Sequence, residues 1–524
     1  MTASFFADAR RANRQRLLML VVWLVAVVLL ARQHVFWRDE VRALSLALQG
    51  DNVFAMLAAL RGEGHPALWY LLLRGADVVF DTPLVLPGVA LAVALAAMAV
   101  LTWRAPFAST GLALVMFSRF GVYEYAVMAR NYGLTMLLLF VFAALYRRFR
   151  DRSLVLGMLL SLLANCSVHS LLLVAPLGLY WSIDLLRDGV TRERVRHLAA
   201  NAALALVGVA ICLLTLFPAV NDAAARPESL ASTLPRLALA LLNPGAPFEQ
   251  LLPMAVLTSR LPLPAGVWHA GLSLLLFAVV AGLVHRRAAF WAALVSLLAY
   301  VALFTLLYDG YYRHDALWLV FVVVLYWLAG RPGDDPRDRA KRWLARSGSV
   351  ALAALLLLQV GNAALQATWL IDGAKPESRS RDFALWLESR PDLAGATIAA
   401  DPDYLVEPLP YYLPAHRTYL MREQRYGAVV RFTHSARARL DLDDILQTAA
   451  RLRSDNDGRP VLILLNRPLD ELPATAAEDD DRWLLLSTPE QVQRFRDAAP
   501  LAERFGPVCC SDESFDVYVF GGAE

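Results

Sequence analysis

The strongest constraint on this chain is a series of apolar runs separated by short segments dense in arginine. The runs cover residues 17–31, 83–103, 107–117, 134–145, 154–163, 171–186, 198–217, 267–284, 288–308, 317–328 and 350–370. A helix needs about 20 apolar residues to cross the hydrocarbon core of a bilayer, so the shorter cores are expected to extend into their flanks. The expected architecture is a polytopic α-helical membrane protein with about 11 transmembrane helices. Composition agrees: 58% of the residues are hydrophobic and only 19% are charged, which excludes an ordinary soluble protein. The net charge of +3 gives no sign of a nucleic-acid partner.

Sidedness follows from the arginines. Arg10, Arg11, Arg14 and Arg16 precede the first run, and dense clusters follow at 146–152, 187–197, 285–287 and 331–346. The bias of basic loops towards the cytoplasm puts all of these inside. No A-x-A-like cleavage site follows the first run, so it is expected to stay as an uncleaved span. Residues 65–80 also look apolar, but Arg74 and Asp77 interrupt them. They read as an interfacial or re-entrant helix on the outer side, a second crossing being the alternative. Residues 219–263 read as a long outer loop rich in Pro and Arg.

From Asp372 onward charges become frequent and the apolar runs shrink to strand length: ATIAA, PVLILL, RWLLLS and FDVYVF. Helical stretches at 378–389 and 435–454 lie between them. The division is therefore 1–371, a membrane domain, and 372–524, a soluble α/β domain of ordinary size. An odd number of spans puts the second domain outside, in the periplasm of a bacterial inner membrane. The four cysteines, Cys166, Cys212, Cys509 and Cys510, have no metal-type spacing and read as structural.

Residues able to carry chemistry gather where runs end on the outer side. The stretch HVFWRDEVRALSLALQ, residues 34–49, sets Asp39 and Glu40 beside Phe36, Trp37 and Arg38. A carboxylate there could act as a base or hold a metal, or Asp39 could simply pair with Arg42 a turn away. His65 opens HPALWY as a candidate ligand or helix-start histidine. YEYAVMARNY carries Tyr123, Glu124, Arg130 and Tyr132, and DGYYRHD carries Tyr312, Arg313 and His314. Arginines among aromatics at a membrane surface suit lipid phosphates, or else snorkel in an interfacial belt. His169, alone in NCSVHS, reads as structural.

This order of features resembles the GT-C glycosyltransferase superfamily, with most similarity to protein O-mannosyltransferases and lipid A aminoarabinose transferases. The stretches that carry it are WRDE at 37–40 and GHPALWY at 64–70, followed by the arginine–tyrosine segment. The chain departs from the mannosyltransferases in having HPA and no long lumenal insertion. The resemblance implies a sugar transferase that draws on a polyprenyl-phosphate sugar donor in the bilayer. The acceptor would be a hydroxyl of a periplasmic lipid, glycan or protein. It implies Asp39 as catalytic acid or base with Glu40 beside it. It places Arg130 near the donor phosphate; His65, Tyr123, Glu124, Tyr132, Tyr312, Arg313 and His314, read from the segments above, are the further candidates for binding the substrates. A divalent metal, with Asp39, Glu40 and His65 as candidate ligands, is compatible with this. A transporter or flippase of a lipid-linked envelope precursor is the alternative, and a non-catalytic envelope scaffold a third reading. A transporter would be expected to show inverted repeats and midplane charges.

Overall fold

The computed structural model describes residues 13–60, 63–216, 230–330, 338–373, 375–431, 433–474 and 483–522. Arg10, Arg11, residues 331–337 of the fourth basic cluster, the 219–229 part of the expected outer loop and Arg482 of RWLLLS lie outside them. The described chain is mostly helical. Helix α1 (Asn13–Gln33) leads into α2 (Arg38–Ala47), α3 (Val53–Ala59) and α4 (Leu68–Phe80). The helices α5 (Val85–Arg104), α6 (Ser109–Met116), α7 (Tyr132–Phe149), α8 (Val155–Ala164), α9 (Val168–Leu186) and α10 (Arg192–Leu216) follow. Then come α11 (Leu230–Leu242), α12 (Met254–Arg260), α13 (Ala265–Ala281), α14 (Arg287–Leu306), α15 (Tyr312–Ala329) and α16 (Arg339–Asp372).

Eight of these are long and apolar enough to cross a membrane: α1, α5, α7, α9, α10, α14, α15 and α16. The expected number was about 11. The difference is one of length: runs 107–117, 154–163 and 267–284 fold as helices of 8, 10 and 17 residues. The segment 219–263 is also not simply a loop, because it holds α11 and α12. The apolar face of α11 was hidden in the sequence by Pro235 and Arg236 within the helix. Helix α4, at 13 residues, is too short to cross, in keeping with an interfacial placement. Its Arg74 is explained locally: the guanidinium donates to the carbonyls of Ala47, Gln49 and Gly50 at the end of α2.

The bundle is built around α15, in which every residue from Ala316 to Val324 is at most 1% exposed. It packs against α7, α9 and α14. On α1, by contrast, Leu17, Leu18, Val21, Val22, Val25 and Leu29 all face outward. An apolar stripe of that size on a helix rim matches a lipid-facing surface rather than a wet one. Helices α13 and α16 approach closely: a Cβ added to Gly348 would stand 2.4 Å from the Gly282 Cα, so both positions need glycine. Arg16 is buried in α1 and donates to the carbonyls of Thr102 and Phe107. Trp23 Nε1 donates to Gly121 O in a π-helical turn at Phe120–Glu124 that follows α6. Helix α16 has 34 residues and ends at Gly373 in the left-handed region, φ 65°.

After α16 come α17 (Ser380–Glu388), β1 (Thr397–Asp401), α18 (Leu409–Tyr412), β2 (Thr418–Leu420), β3 (Arg425–Tyr426) and β4 (Arg439–Asp441). The chain continues with α19 (Leu442–Asp455), β5 (Val461–Leu465), β6 (Leu484–Leu486), α20 (Pro489–Ala498), β7 (Leu501–Phe505) and β8 (Phe515–Phe520). Six strands form one sheet in the order β3-β2-β1-β5-β8-β7, with β1 parallel to β2 and β5, and β8 antiparallel to β5 and β7. Alternate residues serve two cores. Ile398, Leu462 and Val517 face α17, while Ile463 and Tyr518 face α19 and α20. Burial on both faces accounts for the unbroken apolar run VLILL. The expected strands are present, but the start of the expected 435–454 helix is spent on β4. Cys166 and Cys212 are free and buried, and Cys509 and Cys510 are joined as a disulfide.

A buried cluster at the end of β1 makes this region sensitive to pH. Arg422 donates to Asp401 Oδ1 at 2.8 Å, and the backbone N–H groups of Met421 and Arg422 donate to Asp403. The guanidinium serves Asp401, while Asp403 is held by backbone N–H groups. Burial and the neighbouring Asp401 push the Asp403 carboxyl up to about 8. A carboxyl raised on folding contributes stability below its unfolded pKa and loses it as pH rises through the folded value. Unfolding of the C-terminal region is therefore expected to become easier between the ordinary aspartate range and pH about 8. Asp403→Asn should flatten that slope. Denaturation curves of both proteins across the range check it, and equal slopes would show that Asp403 is not the group responsible.

Candidate functional site

The site starts where α1 stops. The chain turns through His34–Trp37 and restarts as α2 at Arg38, so Asp39 and Glu40 occupy the first helical turn, where the helix dipole favours negative charge. Successive helical residues point about 100° apart, and the two acids accordingly separate. Asp39 turns to a cavity of about 150 Å³ whose walls include Arg42, His65, Trp69, Arg130 and Glu407. Glu40 turns into the protein and is fully buried.

Asp39 Oδ2 is ion-paired with Arg130 and lies 3.6 Å from Arg313 Nη2. Arg130 comes just before α7, and Arg313 lies in the first turn of α15. Two chain segments far apart in sequence thus converge on one carboxylate. Arg313 is also stacked on aromatic rings, 5.5 Å from Trp37 and 4.8 Å from Tyr311. Burial pushes the Asp39 carboxyl up, but Arg130, Arg313 and Arg38 outweigh it and hold it well below the usual carboxylate range. His65 Nε2 lies 3.4 Å from Arg130 Nη2. Burial and the Arg130 charge hold its imidazole down at about 4, so it is neutral near pH 7.

Glu40 has a different set of partners. It accepts from Ala129 N at 2.6 Å, and His34 Nε2 lies 2.9 and 3.2 Å from its two oxygens. His34 Nδ1 lies 3.0 Å from the Tyr123 hydroxyl, which donates to Glu377 Oε1 at 2.5 Å. Burial opposes charge on His34, but Glu40 and Glu377 outweigh it and raise it to about 9. Glu124 is paired with Arg119 at 2.7 Å, and Arg119 lies over the Tyr312 ring. The Tyr132 hydroxyl lies 2.9 Å from His314 Nε2, and His314 stacks on His169, ring centroids 4.0 Å apart.

The expected residues therefore fall into three groups. Asp39, His65, Arg130 and Arg313 come together. Glu40 and Tyr123 join the His34 cluster, with Glu124 close by. Tyr132 and His314 form an aromatic wall with His169, and Tyr312 lies under Arg119. The candidate metal set Asp39, Glu40 and His65 is not assembled: Glu40 faces away from the other two, towards His34.

Several site residues were missed in the sequence. Arg42 donates to both oxygens of Glu63, at 2.7 Å, and to Glu407, rather than pairing with Asp39. Arg38 donates its backbone N–H to Glu513 at 3.0 Å and pairs with Asp512. Glu377, Glu407, Asp512 and Glu513 all belong to the C-terminal segment, which thus lies against the same end of the bundle as Asp39. No sequence signal ties acids more than 300 residues away to α2. His34 lies within the acidic stretch 34–49, but Tyr123 and Glu377 are distant in sequence. No family profile, curated protein or solved structure matches the chain.

Proposed function

We propose that this is a membrane glycosyltransferase that moves a sugar from a polyprenyl-phosphate donor to a hydroxyl of a periplasmic acceptor. The observation that carries the reading is the single carboxylate flanked by two guanidiniums, beside a polar cavity at the end of the first apolar helix. Two arginines converging on one oxyanion are the arrangement that also grips a phosphate. In the reaction the donor phosphate displaces Asp39 from Arg130 and Arg313. The carboxylate, released from the charges that depress its basicity, takes the proton from the acceptor hydroxyl. The hydroxyl oxygen attacks the anomeric carbon and the bond from that carbon to the phosphate oxygen breaks. Polyprenyl phosphate leaves with its charge still held by the two arginines, so positioning and charge stabilisation lower most of the barrier.

The phosphate role is tested by binding. Arg130→Ala or Arg313→Ala should weaken binding of polyprenyl phosphate to the purified protein by about 10- to 100-fold, the loss of one charged hydrogen-bonding group. Lysine at either position should restore part of that, since the charge returns but the planar fork does not. Unchanged binding in both alanine variants would remove the phosphate site and the transferase reading with it.

A further inference from the structure

We propose that His34 and Glu377 bind a divalent metal ion, zinc by the chemistry of the donors, with the Tyr123 hydroxyl as third ligand and Glu40 orienting His34. The inference goes beyond the transferase reading and does not rest on it.

All four side chains are buried, none more than 6% exposed. Donor atoms of His34, Glu40 and Glu377 lie within 4.8 Å of one another. The spacing around His34 Nδ1 is the informative part. Glu377 Oε2 takes no hydrogen bond, although it is buried, and it stands 3.5 Å from that nitrogen. This is long for a hydrogen bond. It matches the separation of about 3.4 Å between two donors each about 2.1 Å from a tetrahedral zinc. The Tyr123 hydroxyl lies 3.0 Å from Nδ1 and donates to Glu377 Oε1 at 2.5 Å, so all three side chains meet at one buried point.

The opposite ring nitrogen carries the second half of the argument. Nε2 points at the Glu40 carboxylate. A metal-bound imidazole characteristically donates its free N–H to a carboxylate, which fixes the tautomer and aims the ring. Charge points the same way. Without a metal the His34 ring faces both Glu40 and Glu377; once its Nδ1 proton leaves, a dication would match the two carboxylates, Glu124 nearby being paired with Arg119. One imidazole nitrogen and oxygen donors suit zinc, and three protein ligands are the number in sites that keep one position open. Uptake releases the Nδ1 proton to solvent.

Such an ion would join the end of α1, the π-helical turn and the entry to the C-terminal segment. Through Glu40, which accepts from Ala129 N, it would also steady the residue that precedes Arg130.

The test uses the full chain in detergent, stripped by chelator, equilibrated with zinc chloride and assayed for zinc by elemental analysis. Stoichiometric zinc is expected. Glu377→Gln and His34→Gln should each weaken it by about tenfold or more, while Asp39→Asn keeps it. A parent protein that takes up no zinc, or a Glu377→Gln variant that binds it equally, overturns the proposal. If the variants fail to fold, cobalt(II) in the parent decides. A visible spectrum of nitrogen and oxygen coordination supports the site. A thiolate-to-cobalt band would move the metal to a cysteine and overturn it. Zinc binding and sugar transfer are read separately, so failure of either leaves the other standing.

Discussion

Sugar transfer by the Asp39→Asn variant is expected to fall by about 100-fold or more, with binding of the lipid phosphate retained or strengthened. Asparagine keeps the size and the hydrogen-bonding reach of the side chain but cannot take a proton from the acceptor. It also leaves Arg130 and Arg313 without the anion they hold in this structure, so an incoming phosphate meets less competition. The two effects move in opposite directions, which a general loss of folding would not do. Glu40→Gln should act differently, because its carboxylate is bonded to His34 and to Ala129 N rather than exposed to the cavity. A purified transfer assay paired with donor binding checks both. Normal turnover by Asp39→Asn would remove the base from the mechanism.

The second large effect is expected at Arg42. Its guanidinium lies between Glu63 and Glu407, and the two carboxylates are 8% and 2% exposed. Glu407 is also bonded by Val430 N, and burial already pushes its carboxyl above the ordinary glutamate range. Arg42→Ala leaves two buried acids facing each other without a counter-charge, which costs about 3–5 kcal/mol where such pairs have been broken. The C-terminal segment should loosen from α2 and become cleavable by protease around Glu407, and a second change, Glu407→Gln, should recover part of the loss. Equal protease resistance in parent and Arg42→Ala would mean that this contact does not hold the two parts together.

Local pattern made much of the bundle legible. Apolar length located α1, α5, α14 and residues 350–370 of α16, and charges inside an apolar run marked off α4, which is shorter than a span. Pattern failed where the cause was not local. A proline and an arginine disguised α11 as loop, although its leucines still recur at helical spacing. Short apolar runs such as 154–163 looked like spans because sequence shows hydrophobicity but not how far a helix continues. In the site, Asp39, Arg130 and Arg313 could be singled out because each stands where an apolar run meets aromatics. The acids that complete the surroundings, Glu377 and Glu407, look like any surface glutamate in sequence. Only tertiary packing brings them to His34 and Arg42.

The length of α16 limits how this molecule can move. At about 1.5 Å per residue its 34 residues reach about 50 Å, well beyond the roughly 30 Å of a hydrocarbon core. A helix of that length would extend past a bilayer, and residues 373–379 lie between it and α17. At about 3.4 Å per residue that leash spans at most about 24 Å. The C-terminal segment is thereby kept within reach of the bundle end that it already touches through Glu377, Glu407 and Glu513.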